Sequence, residues 1–378
     1  MLIGGPALRN SSSCWQDGNM TTGAANNNAA SNLLWIGTYT PDGGGRAQGI
    51  GAVRAHQDGS LEWLGTAVEA QSPSFVAVHP ALPVVYAAAE QRKKVQAYRR
   101  LRDCGLKVHK EAQPAGEATC HVAVDPGGRF VTATCWGDGQ VLLYELDADG
   151  GMTGRFPAAL SVDPHGSLSP GSPRQCRAHA SLMLSDGRVM TTDLGHDTLR
   201  IWNYEPGTGL VADHEVVLPH GSGPRHMVEH PSGSVVIVSE YSVEVFVVRP
   251  EAGTYELVFR GPATAGGSQE GDSAAEICLG PQGNFAYAGV RGSNIISVLE
   301  VAAGGTELIP VKDIHSGGDW PRHHLVRGNL LHVAHERSDN IATFELDPVT
   351  GLPGPLLHNL PTPSPTALVP AVMPATAG

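Results

Sequence analysis

A short apolar run that ends in a turn glycine recurs along this chain, and its spacing limits the possible folds sharply. Gly128, Gly187, Gly233, Gly283 and Gly328 are separated by 59, 46, 50 and 45 residues. A period of about 50 residues made of short strands is the signature of a β-propeller. No long apolar helical stripe competes with it. Seven inner strands are expected at Ser74–His79, Cys120–Asp125, Ala178–Leu184, Arg225–His230, Ala275–Gly280, Arg322–Arg327 and Pro365–Pro370. Second strands rich in Val, Ile, Phe and Tyr follow the first six, at Val84–Ala89, Phe130–Thr134, Val189–Asp193, Val235–Ser239, Phe285–Val290 and Leu330–Ala334. Third strands come next, at Val95–Arg99, Val141–Leu146, Thr198–Tyr204, Glu244–Val248, Ile295–Val301 and Ile341–Leu346. The last inner strand has no successor, whereas Leu33–Thr40 has no predecessor. Pairing the two completes seven blades and closes the ring between the chain ends, which removes exposed sheet edges. The expected fold is therefore all-β, a seven-bladed β-propeller over residues 32–370, with a disordered N-terminal tail (1–31) and a short C-terminal tail (371–378).

At 378 residues the chain could hold two or three domains of about 150 residues. A closed propeller overrides that count, because its blades bury their faces only against each other. The net charge of −12 argues against nucleic acid as a partner, which needs a basic face. It does not forbid a local Arg/His cluster that binds an anion. The six cysteines form no CxxC pair and no zinc spacing, and no disulfide framework is expected. No run of 18 apolar residues suggests a membrane span. The first 31 residues lack the apolar core of a signal peptide, so a cytoplasmic monomer or weak homo-oligomer is expected.

Candidate site residues follow from blade geometry. Adjacent strands are antiparallel, so inner-strand starts and the turns between second and third strands open on one face. The starts supply His121, His179, Arg225, His226, Glu276, Arg322, His323 and His324. The turns supply Glu90, Trp136, Asp193, His196, Glu240, Arg291, His335 and Glu336. Two of these positions share a motif, Gly-Pro-Arg-His at 223–226 and Trp-Pro-Arg-His at 320–323, with the arginines 97 residues apart. Strand alternation implies that only one residue of a pair such as Arg225 and His226 faces the channel. Some candidates suit structural work: Asp193 as a turn residue, His79 and His230 before prolines, Glu336 as partner to a nearby Arg. The group as a whole, mixed in sign and gathered at one mouth, is a functional-site candidate.

Few chemistries fit the group. There is no Gly-x-Ser-x-Gly elbow and no HExxH motif. Cys120 beside His121 is the one Cys–His neighbour pair, and alternation turns the two apart. What remains is chemistry without metal or cofactor, in which arginines hold a carboxylate or phosphate and a His or Glu moves a proton.

At these residues the chain resembles the seven-bladed lactonase family that contains bacterial 6-phosphogluconolactonases and fungal carboxy-cis,cis-muconate cyclase. The resemblance rests on an ordered series: Trp-Ile-Gly-Thr-Tyr-Thr (35–40), Ser-Pro-Ser-Phe (72–75), Cys-His-Val-Ala-Val-Asp (120–125), Ala-His (178–179) and Asp-Leu-Gly-His-Asp (193–197). Gly-Pro-Arg-His (223–226), Ser-Glu (239–240), Ala-Glu-Ile (275–277) and Val-Arg-Gly-Ser-Asn (290–294) complete it. It implies hydrolysis of a small anionic sugar lactone in carbohydrate metabolism, as in the pentose phosphate pathway. By motif, the working residues fall on His179, Arg225, Glu240 and Arg291, with the general base open between His179 and Glu240. His121, His226, Glu276, Arg322 and His323 are expected to contact substrate, Arg291 with Arg322 or His323 holding an anionic tail. The chain departs from the family at Cys135-Trp136, where Asn-Tyr is usual, and at Ser239 and Ala89, where Asn precedes the glutamate. These changes alter the channel lining. Two other readings use the same surface: a muconate-type cycloisomerase, and a non-catalytic interaction propeller, which the 6% aromatic content disfavours.

Overall fold

Second strands such as Val-Val-Ile-Val-Ser (Val235–Ser239) and Val-Met-Thr-Thr-Asp (Val189–Asp193) are buried at every position. That pattern suits a sheet covered on both faces, and the computed structural model shows what covers them. It describes residues 32–102, 104–166 and 173–371. These form seven antiparallel sheets, each with at least four strands, stacked face to face around a central axis. Blade 1 is composite, with strand order Pro365–Pro370, Leu33–Thr38, Gly49–Ala55, Leu61–Glu69. Blades 2 to 7 follow in chain order, with inner strands Pro73–Val78, Thr119–Val124, Ala178–Met183, Pro224–Glu229, Ser273–Leu279 and Pro321–Arg327. Each inner strand touches the next, and the last returns through Pro365–Pro370 to Pro73–Val78. The seven-bladed propeller expected from the sequence is the observed fold.

The core lies between blades. Val236, Val238 and Val245 of blade 5 pack against Ile277, Ala286 and Leu299 of blade 6, and other blade pairs meet in the same way. Closure rests on the seam in blade 1, where Leu34, Trp35 and Ile36 pair with Pro370, Val369 and Leu368. The Ala371 N–H, assigned to the tail by the sequence reading, donates to the Leu33 carbonyl at 2.9 Å. The remainder of both tails lies outside the described residues. No helix among the described residues is long and apolar enough to cross a membrane.

One irregularity repeats in every blade. At the start of each inner strand the register against the second strand slips. In blade 5, Pro224 pairs with Ser239 and His226 with Val238, so Arg225 has no opposite residue. The bulged residues around the ring are Thr366, Ser74, Cys120, His179, Arg225, Ala275 and Arg322; in blade 4, Ala180 shares the slip with His179. A bulge re-aims its side chain and suspends strict alternation. This overturns the expectation that only one of Arg225 and His226 reaches the axis. Both do, at different depths.

Candidate active site

The bulges sort the candidate residues into two layers. The outer layer, at the mouth, takes bulged residues together with those that follow each second strand. The latter positions are fixed by a recurring bond, in which the N–H of Tyr39, Glu90, Trp136, Leu194, Glu240 or Glu336 donates to the carbonyl of the residue just before an inner strand. Blade 4 therefore presents Leu194, while Asp193 ends the second strand and His196 lies in the turn that follows. Asp193 Oδ1 accepts the N–H groups of Arg177, Gly195 and His196 at 2.9 to 3.0 Å. Its Oδ2 accepts the Cys176 thiol at 2.8 Å. Cys176, Asp193 and His196 are the one group of three metal-ligating side chains whose ligand atoms all lie within 4.8 Å of one another among the described residues. The His196 ring is already engaged by Ser161 and the Arg174 carbonyl.

Arg225, Glu240 and Arg291 meet in the mouth. Glu240 Oε2 lies 2.9 Å from Arg225 Nε and 2.9 Å from Arg291 Nη2. Arg225 Nη1 also donates to the Ala275 carbonyl, and Arg291 donates to the carbonyls of Ser273 (3.3 Å) and Ala274 (3.2 Å). Arg225 Nη2 and Arg291 Nη1 take no hydrogen-bond partner among the described residues. Although burial alone would raise the Glu240 pKa, the charges of Arg291 and Arg225 outweigh it and hold the carboxyl below its usual range. His179, buried beside them, has no hydrogen bond to either ring nitrogen among the described residues, and its Nδ1 is shut from solvent. Burial, reinforced by the charge of Arg225, holds its pKa well below 6.5, so the ring is neutral at pH 7.

The other side of the mouth is a second network. Arg322 pairs with Glu336 at 3.1 Å and donates to the Tyr39 hydroxyl at 2.6 Å, as its guanidinium stands 4.8 Å from the Tyr39 ring centre. The same hydroxyl donates to the Glu90 carboxylate at 3.0 Å. The sequence reading passed over Tyr39. Its signal was available: it follows blade 1's second strand as Glu240 follows blade 5's, but only if blade 1 is recognised as closed by the C-terminal strand.

The remaining expected substrate contacts sit one layer deeper. His226 Nδ1 and His323 Nε2 lie 2.8 and 3.3 Å from the same Glu276 oxygen. His121 stacks against Phe75 at 4.2 Å, and Phe75 also meets His226 and His323 edge-on. These side chains floor a cavity of about 420 Å³ that opens on the far side and is walled by Val78, Leu182, Met183 and Met227. His323 is thus separated from Arg322 by the bulge between them, and it does not join the arginines of the mouth. His179 and His226, with ring centres 5.3 Å apart, link the two layers. Cys120 lies at the mouth and His121 in the deeper layer, so they form no dyad. The Cys120 thiol points at the His179 carbonyl (3.4 Å), and burial drives its pKa far above the ordinary thiol value. His79 and His230 accept turn N–H groups from Ala81, Leu82 and Ser232, as structural residues do.

Fold and site together define a seven-bladed propeller with a charged, imidazole-containing side-chain cluster at one channel mouth. The family described as "Lactonase, 7-bladed beta-propeller" matches residues 33–370, and the chain belongs to that family. The Bacillus subtilis (strain 168) protein named 6-phosphogluconolactonase is 25% identical over 335 residues, covering 84% of this chain and 92% of the relative. Among solved structures, the Pseudomonas aeruginosa periplasmic gluconolactonase superposes with a TM-score of 0.81 at 23% identity, over 90% of this chain and 99% of that one. A Lactobacillus plantarum protein gives 0.80 at 22% identity with the same coverage. At those identities the structural likeness speaks for the fold.

Proposed function

We propose that this protein hydrolyses a sugar lactone, with 6-phosphoglucono-δ-lactone the first candidate, and that its own side chains carry the reaction without a metal. Membership of the lactonase family supports the reaction class. The observation that carries the mechanism is the contrast inside the mouth between a neutral, unengaged imidazole and a carboxylate held by two guanidiniums.

That contrast selects the base. Glu240, stabilised as an anion by Arg225 and Arg291, is a weak proton acceptor. His179 is neutral and unoccupied. It removes a proton from water as the oxygen attacks the lactone carbonyl, forming a tetrahedral oxyanion. The unfilled Nη2 of Arg225 and Nη1 of Arg291 are the donors that meet this charge, an effect of about 3 kcal/mol per donor. Collapse breaks the ring C–O bond, and the departing alkoxide takes the proton back from His179 to leave the open acid. Glu240 acts as a positioning residue, since it fixes both guanidiniums while the Ala275, Ser273 and Ala274 carbonyls hold their other edges.

The test is hydrolysis of freshly prepared 6-phosphoglucono-δ-lactone and of unphosphorylated glucono-δ-lactone by the purified protein, with and without chelator. Turnover above the spontaneous rate that survives chelator and disappears in Arg225→Ala is the expected result. A wild-type protein that accelerates neither lactone overturns the reading.

A further inference from the structure

The mouth contains three guanidiniums, those of Arg225 and Arg291, both buried, and of the half-buried Arg322. It also contains three carboxylates, Glu240 paired with the first two, Glu336 paired with Arg322, and Glu90 joined to Arg322 through the Tyr39 hydroxyl. The interior is balanced in charge. It has donors for a carbonyl oxygen, but no surplus positive charge for a second, strongly anionic group. The expectation that Arg291 and Arg322 hold an anionic tail therefore meets a physical difficulty, because Arg291 is committed to Glu240, which it shares with Arg225, and to two backbone carbonyls, while Arg322 is held by Glu336 and, through Tyr39, by Glu90.

Unmatched positive charge appears one step outward. The Arg177 guanidinium carbon lies 3.8 Å from the ring centre of Trp136, and that of Arg337 lies 3.3 Å from Trp320. Arg177 immediately precedes the inner strand of blade 4, and Trp320 holds the matching position in blade 7. Arg337 follows Glu336, and Trp136 is the blade 3 counterpart of Glu240. All four residues thus belong to the rim of this one mouth. Neither arginine has a carboxylate within ion-pair distance among the described residues. Arg177 reaches only the Gln175 side-chain amide oxygen, at 3.0 Å. Near Arg337, the Asp319 carboxylate is engaged with the Asn294 amide. Stacking on an indole holds a guanidinium flat and leaves its N–H edge outward, the geometry that takes an oxyanion in a forked pair of hydrogen bonds. Arg291, 5.3 Å from the Trp320 ring, brings this rim next to the reaction centre.

We infer that Arg337, stacked on the same Trp320 ring that Arg291 approaches, is the specificity contact for an oxyanion, phosphoryl or carboxylate, carried by the substrate away from its lactone carbonyl, with Arg177 on Trp136 the equivalent contact on the blade 3–4 side of the mouth. This rests on the lactonase reading above and assigns to the rim the discrimination that the balanced interior cannot supply.

The experiment compares kcat/KM for 6-phosphoglucono-δ-lactone and glucono-δ-lactone in the full-length wild type, Arg177→Gln, Arg337→Gln and the double variant. The expected result is a fall of roughly tenfold or more in the phosphorylated-to-neutral ratio of the double variant, expressed mainly in KM. Tryptophan fluorescence gives a readout independent of turnover. Glucose 6-phosphate should quench wild-type emission saturably where glucose does not, and the double variant should lose this. Arg337, exposed on the surface, serves as the variant least able to disturb folding. An unchanged ratio in a protein that hydrolyses both lactones overturns the rim assignment and leaves the lactonase reading standing. Saturable, arginine-dependent binding in a protein that hydrolyses neither does the reverse. Absence of both discrimination and saturable binding in the wild type overturns the inference.

Discussion

Arg225 and Arg291, from neighbouring blades, are joined through a single atom: Oε2 of Glu240 stands 2.9 Å from each guanidinium. The pair is therefore preset before any substrate arrives, with one edge of each group committed to protein and another open to the channel.

Substitution of Arg225 by lysine keeps the charge and removes the geometry. A single ammonium cannot reach Glu240, the Ala275 carbonyl and a substrate oxygen together. Arg225→Lys should lower kcat/KM for the lactone by about 100-fold, and steady-state kinetics will show it. Turnover within twofold of wild type would remove Arg225 from oxyanion stabilisation.

The choice of His179 as base has a pH signature. A base must be unprotonated to act, and burial and Arg225 hold the His179 pKa below 6.5. The pH profile of kcat/KM should therefore be flat above pH 6.5 and fall only at lower pH. His179→Gln should cost roughly 100- to 10,000-fold and abolish that acid limb. A limb centred above pH 7 would point to a different group.

Stability should also depend on pH. Burial lowers the pKa of His323, His332 and His335 to about 4 each. The unfolded chain takes up protons at these residues near pH 6.5, while the folded protein does not until about pH 4. The native state is thus fully favoured above pH 6.5 and loses stability as pH falls from there toward 4. Thermal melts from pH 7.5 to 4.5 should show a falling midpoint, and a midpoint that rises over that range would contradict the burial of neutral imidazoles.

Tyr39→Phe deletes a hydroxyl that bridges Arg322 and Glu90 inside the mouth, leaving both with one buried partner fewer. A loss of about 1–3 kcal/mol in urea unfolding is expected. Unaltered stability would mean that water replaces the hydroxyl at no cost.

Removal of the chain beyond Pro361 takes away the inner strand of blade 1, its pairing with Leu33–Thr38, and the Thr366 hydroxyl bond to the Ser74 carbonyl (2.7 Å). The truncated protein should lose its cooperative melting transition or precipitate. A soluble product with an unchanged midpoint would show that the ring does not depend on its seam.

The blades were legible in the sequence because second strands are covered on both sides and so read as unbroken apolar runs. Val84–Ala89, Val189–Asp193, Val235–Ser239 and Pro365–Pro370 are observed with the bounds expected. Outer strands such as Thr254–Pro262 are exposed at alternate or consecutive positions, so no hydrophobic pattern betrays them. Blade ends supplied Arg225, Glu240, Arg291 and His179 among many candidates and the family resemblance singled these four out; the structure brings them together. Depth was not legible. A bulge arises from backbone register and leaves no mark in composition, so His226, Glu276 and His323 could not be separated from Arg225 and Arg322. The sharing of Glu240 between Arg225 and Arg291 was hidden as well, since Arg291 comes from the neighbouring blade, whereas the Arg322–Glu336 pair lies within blade 7 and matches the expectation that Glu336 partners a nearby Arg.

The unpaired residue at the head of each inner strand has a consequence for how such a protein changes over time. Its side chain faces the mouth, yet its backbone stands outside the ladder that joins the strands. A replacement there rewrites what the mouth offers a ligand and leaves the strand register alone. Thr366, Ser74, Cys120, His179, Arg225, Ala275 and Arg322 are in effect seven sockets in one frame, already filled with residues as different as alanine and arginine. A scaffold arranged this way can acquire a new substrate one socket at a time, without its blades having to learn to fold again.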